Sequence, residues 1–263
     1  MASGKNEVEV MRKADYGNIA NTFDLSRLIS EERLETWMNL ISERIDSDRK
    51  IELLDLGCGT GRFSIPIANR LGYIVTGADN SEEMVLKARK KDEANLVDWD
   101  IQDATSLSYP DASFDAVFMS HLLHHVDNPS DIIEECYRVL RPGGTILNRY
   151  GSMENIRDDP EHRFFPETIE IDEARTPTQE QVENIFRIAG FQMVSSKVLA
   201  EQPYPSPEVR LRGAELKFTS VLTLISQSAF EKGLENFRKY ILENPNDHWL
   251  LEDKMTLTSG KKV

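Results

Sequence analysis

Three glycines at alternate positions, Gly57, Gly59 and Gly61, follow directly on the apolar run from Ile51 to Leu56. The run suits a buried strand, and Phe63, Ile65, Ile67, Ala68 and Leu71 behind it repeat at helical spacing. Strand, glycine turn and helix start, in that order, form the front of a doubly wound α/β nucleotide-binding unit. Glycine tolerates φ > 0 and lets a ligand lie against bare backbone, and free N–H groups at the helix start hold a negative group. Two acids end apolar segments on either side of the turn, Asp55 and Asp79. Asp79 lies 18 residues beyond Gly61, close to the separation at which a second-strand carboxylate reaches a ribose. One carboxylate offers the two acceptors that vicinal hydroxyls need; the structural alternative for Asp79 is a turn or cap acid. The dinucleotide fingerprint would place its third glycine at position 62, where the chain has Arg62.

A second group with chemical potential is Ser120-His121-Leu122-Leu123-His124-His125. It follows the strand-like run Phe114 to Met119, and in an open α/β sheet ligands gather at the carboxyl ends of strands. Histidine titrates near neutrality, so the candidate catalytic base is one of His121, His124 and His125, with His121 nearest the strand end and favoured, and His124 and His125 alternatively packing or capping. Arg149, Tyr150, Arg157, His162 and Arg163 are cationic or polar groups after the fifth strand. Arg149, Tyr150, Arg163 and His125 are candidates for a substrate pocket, and the cations suit an anionic acceptor. The competing expectation pairs them with Glu154, Asp158, Asp159 and Glu161 in the same stretch.

The elements that must position these groups are legible in order. Ser30 opens a helix with Glu31 and Glu32 in its first turn and the stripe Leu34, Trp37, Met38, Ile41 and Ile45. Strands are expected at 72–79, 96–101, 114–119, 145–150, 191–199 and 253–258. Ser81, Asn128 and Thr178 cap the intervening helices, Thr178 with Gln181 as a capping box. Residues 151–176 sustain no period and read as a loop-rich flap. A helical insertion of roughly 45 residues precedes the last strand. The resulting division is a cap at 1–48, an α/β core at 49–200 with its flap, a helical lid at 201–250 that covers the catalytic face, and a last strand and tail at 251–263.

The stretch Asp55-Leu56-Gly57-Cys58-Gly59-Thr60-Gly61 resembles motif I of the class I S-adenosylmethionine (SAM)-dependent methyltransferases, small-molecule type and close to the quinone C-methyltransferases. Asp103-Ala104, the run from Leu107 to Phe114-Asp115, and Arg141-Pro142-Gly143-Gly144 resemble the same family in the same order. The segment from Tyr16 to Arg27 is similar to its entry segment, with Gly17 and Phe23 where Asp and Tyr are usual. The resemblance implies a Rossmann-like, mostly parallel seven-stranded sheet with helices on both faces. It implies a methionine end held by Asp55, Gly57, Cys58, Gly59 and Gly61, a ribose held by Asp79, and an adenine lined by Asn80 and Met84. Asp103 would accept from the adenine amino group and the Ala104 N–H would reach a ring nitrogen. Ser120, Tyr16 and Arg27 complete the implied cofactor set. Asp115 is expected to satisfy backbone groups at a strand start.

The activity implied is in-line transfer of a methyl group from S-adenosyl-L-methionine to O, N or activated C of a small molecule, leaving S-adenosyl-L-homocysteine. The alternatives are a SAM-binding protein with a regulatory or non-methylating role, and an NAD-dependent oxidoreductase, against which Arg62 and Asp103-Ala104 speak. A net charge of −14 argues against nucleic acid as a partner. No apolar leader opens the chain and no apolar run reaches membrane-spanning length, so no membrane contact and a cytoplasmic location are expected. No metal site is expected, since the histidines and scattered acids lack ligand spacing. A monomer or homodimer is expected. Two cysteines, Cys58 and Cys136, imply no disulfide framework.

Overall fold

Leu53 to Leu56 of β1 (Glu52–Leu56) are all buried, on both faces of the strand, as an interior parallel strand requires. The computed structural model describes residues 29–45 and 49–263, so Tyr16 and Arg27 lie outside the described residues. Before β1, α1 (Glu31–Arg44) starts at Ser30, whose side chain accepts from Arg33 N. After it come a short helix α2 (Ser64–Pro66), continued as a π-type turn over Ile67–Leu71, and β2 (Ile74–Asp79). Next are α3 (Glu82–Lys91), β3 (Val97–Ile101), β4 (Phe114–Ser120), α4 (Pro129–Val139) and β5 (Leu140–Tyr150).

Residues 151–176 differ from expectation. They hold three short helices, α5 (Met153–Ile156), α6 (Pro160–Phe164) and α7 (Glu167–Arg175). Elements of 4, 5 and 9 residues are too brief to set up a visible period, and Pro160 starts the second of them. Then follow α8 (Gln179–Ile188) with its Thr178–Gln181 capping box, β6 (Gln192–Glu201), α9 (Pro207–Glu215), α10 (Gln227–Glu243) and β7 (Asp253–Lys261).

The seven strands lie in the order β3-β2-β1-β4-β5-β7-β6. β1, β2, β3, β4 and β5 pair in parallel, and β7 runs antiparallel to β5. The strand order reverses between β1 and β4, and such a switch point opens a crevice at the carboxyl ends of the two strands. One face of the sheet packs Leu54, Leu56, Val117, Met119 and Ile146 against α4 and α8 through Ile132, Ile133, Cys136, Val182 and Phe186. The other packs Leu53, Ala116, Phe118 and Leu147 against Trp37, Ile41, Phe63 and Ile67. Asp115 accepts from Glu52 N at 3.0 Å and pairs with Arg49 and Arg141, tying down the amino ends of β1 and β4.

By internal contacts the chain divides into two units: Ile29–Gly151 with Pro177–Leu199 and Met255–Val263, and, among the described residues, Ser152–Thr176 with Ala200–Lys254. The second has its own core, where Phe164 stacks on Phe237 at 4.4 Å and Phe165 on Phe230 at 5.8 Å. Gly233 of α10 leaves room for Phe165, whose ring lies 2.2 Å from where a Cβ would stand. Buried in this unit, Arg210 is held by Glu161, Asp253 and the carbonyls of Leu250 and Glu252. Arg157 and His162 do pair within the flap, but with other acids than those expected: Arg157 with Glu173 and His162 with Asp172. Among the described residues no helix is long and apolar enough to cross a membrane.

Candidate cofactor and methyl-transfer site

At the end of β1 the chain folds over onto β2. Gly57 N and Cys58 N both donate to Ala78 O, at 2.8 and 3.0 Å, and Gly61 N closes the turn on Cys58 O at 3.0 Å. Gly61 has φ +77°, and a Cβ there would stand 2.5 Å from the Trp99 ring of β3, so both conformation and space demand glycine. Gly59 differs: its φ is +55°, yet a Cβ would meet nothing within 4 Å among the described residues. Among those residues the backbone at Gly59 borders open space. Lys91, at the end of α3, donates to Thr60 O at 3.3 Å and holds the turn from its far side.

Two carboxylates brace this turn. Asp79 accepts from Gly59 N and from Ser81 N, both at 2.9 Å, so it fixes the glycine turn to the start of α3. Burial raises its pKa against those two amide bonds, which favour the ionised form. Asp55 is deeper, only 2% exposed, and accepts from the Ser64 hydroxyl. Burial, with a further contribution from the Asp79 charge, pushes its carboxyl up to about 7, against the Ser64 hydrogen bond. Burial and the same two acids raise the Cys58 thiol as well, so Cys58 offers its backbone and an unionised side chain.

On the adenine side of the expected site, Met84 is buried and Asn80 is exposed. Asp103 is exposed and accepts from Thr105 N at 2.9 Å and Thr105 Oγ1 at 2.8 Å, while Ala104 packs on the sheet core. From β4, Ser120 leads into His121, whose backbone has φ +57°, a left-handed conformation that costs a non-glycine residue about 1 kcal/mol or more. His121 N donates to Arg149 O at 2.9 Å, and the next side chain, Leu122, lies 2.9 Å from where a Gly57 Cβ would stand. The histidine segment and the glycine turn are thus in contact, as the switch point requires. The His124 and His125 rings lie 3.8 Å apart at a tilt of 49°, and His121 meets His124 edge-on at 6.2 Å.

The description "Methyltransferase domain" matches residues 54–148. The ubiquinone/menaquinone biosynthesis C-methyltransferase UbiE of Desulfotalea psychrophila is 33% identical over 136 residues, which cover 49% of this chain and 53% of that protein, about half of each. A demethylmenaquinone methyltransferase of Leptospira interrogans is 31% identical over 222 residues, 73% of this chain and 86% of that protein. This chain belongs to the class I SAM-dependent methyltransferases. A crystal structure of a protein assigned as a methyltransferase of an antibiotic biosynthesis pathway in Anabaena variabilis shares the fold, with a TM-score of 0.73 at 23% identity, covering 89% of this chain and 98% of that one.

For a methyltransferase of this class the residues present fit the cofactor. Among the described residues the space beside Gly59 is open to a ligand against the backbone, and the acids Asp55 and Asp79 suit a cationic methionine end and a ribose diol. The structure brings Asp55, Gly57, Cys58, Gly59, Gly61 and Asp79 together around the turn, with Ser120 at the end of the adjoining strand and His121 directly after it. The expected pocket residues Tyr150, Arg163 and Arg149 each have partners of their own. Tyr150 is buried with its hydroxyl 3.2 Å from Thr258 Oγ1, serving the β5–β7 pair. Arg163 belongs to the helical unit, where its guanidinium lies over Tyr240 at 4.7 Å and Trp249 at 5.0 Å. Arg149 is buried on the α1 face of β5, over Trp37 at 4.6 Å. Sequence reasoning missed Ser64, Trp99, Lys91 and Leu122. Ser64, one helical turn after Gly61, was the most accessible of these, because a hydroxyl there faces back to the strand end.

Proposed function

We propose that the chain transfers the methyl group of S-adenosyl-L-methionine to a small-molecule acceptor. The observation that carries this reading is the acid pair Asp55–Asp79 bracing the glycine turn, at the point where the strand order reverses. The cofactor supplies an electrophilic methyl on a sulfonium, so the residues have only to bind, orient and exclude water. Asp55 with the turn from Gly57 to Gly61 holds the methionine end, Asp79 the ribose, and Asn80, Met84, Asp103 and Ala104 the adenine. Ser120 and His121 face the methyl, and His125 borders the acceptor. Holding donor and acceptor in line contributes up to about 7 to 11 kcal/mol of barrier reduction, which is why no fixed triad is required. The relatives' names, one for demethylmenaquinone and one for ubiquinone and menaquinone biosynthesis, support a small organic acceptor.

The test is a pair of measurements on the full chain. Calorimetric titration with SAM and with S-adenosylhomocysteine should give saturable binding that Asp79→Ala weakens at least tenfold. Labelled SAM with a pool of small metabolites should yield a labelled product. Binding without any product would mark a SAM-binding protein that does not methylate, and binding of NAD in place of SAM would overturn the assignment of the site.

A further inference from the structure

Arg149 and His121 are joined twice across the β4–β5 pair. The backbones bond through His121 N and Arg149 O at 2.9 Å, and Arg149 Nη1 lies 2.8 Å from His121 Nε2. The same nitrogen is 3.4 Å from Ser120 Oγ. The guanidinium is held in place from the other side by Trp37 at 4.6 Å and Phe63 at 5.3 Å, and the whole side chain is only 2% exposed. A guanidinium has five donors and no acceptor, and it keeps its proton at any physiological pH. His121 Nε2 must therefore be the acceptor. The ring is neutral, and its one proton is on Nδ1.

This changes what His121 can do. The lone pair of Nε2 is engaged by Arg149, and the proton on Nδ1 is made more acidic by the cation behind the ring. We propose that Arg149 is a positioning residue that fixes His121 as a hydrogen-bond donor to the acceptor, and that the acceptor is a phenol or enol bound as its oxyanion. This rests on the methyl-transfer reading above. A donor backed by a buried cation attracts an anionic oxygen and disfavours an ammonium. The ionised hydroxyl gives up its proton to solvent before the step. Its oxygen lone pair then forms the new O–C bond as the S–C bond breaks, and that electron pair returns to sulfur. No proton moves in the step, and the charges of oxyanion and sulfonium cancel. His121 has no proton to take up.

The tautomer is read directly, without turnover, from long-range ring correlations of ¹⁵N-histidine-labelled full chain, with the His121 signals assigned from their loss in His121→Asn. The expected result near neutral pH is a protonated Nδ1 and a bare Nε2, with Arg149→Met shifting His121 toward a mixture of tautomers. An Nε2–H ring in the native chain overturns the proposal even if Arg149→Met fails to fold, and a tautomer unmoved in a folded Arg149→Met or Arg149→Lys overturns the role of Arg149. The acceptor class is read with 4-nitrophenol on the S-adenosylhomocysteine-loaded chain. Its phenolate-to-phenol ratio should rise about tenfold on binding, and Arg149→Met should abolish the rise. Failure of 4-nitrophenol to bind, or an unchanged ratio, overturns the oxyanion class. In turnover, His121→Ala should lower kcat about 100-fold and leave SAM affinity unchanged. His121→Asn, whose amide N–H stands where Nδ1–H does, should recover about tenfold of that loss, and His121→Gln should not. Equal activity in all three variants overturns the donor role. If the tautomer and 4-nitrophenol results hold but the native chain yields no methylated product, the methyl-transfer reading fails and the donor pair stands.

Discussion

The most exposed consequence of the site's chemistry is the buried proton at Asp55. Burial moves this carboxyl from the ordinary value of 3.8 to about 7. At about 1.36 kcal/mol for each tenfold tighter hold on the proton, this corresponds to at most roughly 4 kcal/mol. The sign follows from proton counts. Between pH about 4 and about 7 the folded chain keeps a proton that the unfolded chain has released, so stability falls as pH rises across that window. Asp55→Asn removes most of this slope and leaves the cofactor-free protein more stable above pH about 7, by up to about the same amount. A cationic methionine end placed beside Asp55 favours the carboxylate, so SAM binding draws the proton off. Affinity should rise with pH toward 7, and binding near pH 6.5 should release a substantial fraction of one proton. Calorimetry in two buffers of different ionisation heat counts that proton, and urea melts from pH 5 to 8 measure the stability slope. The reasoning is refuted if the native chain releases no proton on binding SAM, or if Asp55→Asn keeps the native pH dependence of stability.

Three further outcomes are expected. Gly61→Ala forces a left-handed alanine into the Trp99 ring, and should lower stability by about 2 kcal/mol or more in denaturant melts and weaken SAM binding with it. His162 lies 3.0 Å from Asp172, which opposes burial and raises its pKa. Its contribution to stability is therefore full below the unfolded value of about 6.5 and is lost as pH rises through the higher folded value. His162→Gln should make the amide protection factors in residues 152–176, taken relative to the intrinsic exchange rate at each pH, insensitive to pH over that range. Arg210→Met leaves Glu161 and Asp253 buried without their cation, and should cost about 3 to 5 kcal/mol by thermal or chemical melts.

Much of this was visible in the chain itself, and the reasons differ from element to element. Ser30, Ser81, Asn128 and Thr178 announced their helices because a cap is a local event, decided within three or four residues. The stripes of α1 and α4 were equally plain: Trp37 and Ile41, and Ile132, Ile133 and Cys136, are all fully buried. The glycine turn identified a ligand class because its requirement is conformational. Helices α5, α6 and α7 were hidden because each is too short to repeat. The pairing of Arg149 with His121, 28 positions apart, depends on the register of β4 with β5, which pairs Ser120 with Arg149. No local pattern encodes that register, so the sequence offers His121 as a candidate without showing the cation that lies against it. The flap cations were similarly opaque, since Glu173 and Asp172 are brought to Arg157 and His162 only by the turn between helices.

The chain has three tryptophans, and their placement gives the molecule three built-in optical probes. Trp37 lies under the Arg149 guanidinium, Trp99 covers Gly61 and Gly77, and Trp249 sits beside Arg163 in the helical unit. A cation close to an indole alters its emission, and so does a shift of the glycine turn beneath it. Replacing two of the three with phenylalanine in turn leaves a single emitter at the histidine segment, at the turn or in the helical unit. Ligand binding at each place then becomes a separate fluorescence signal, with no label added to the protein.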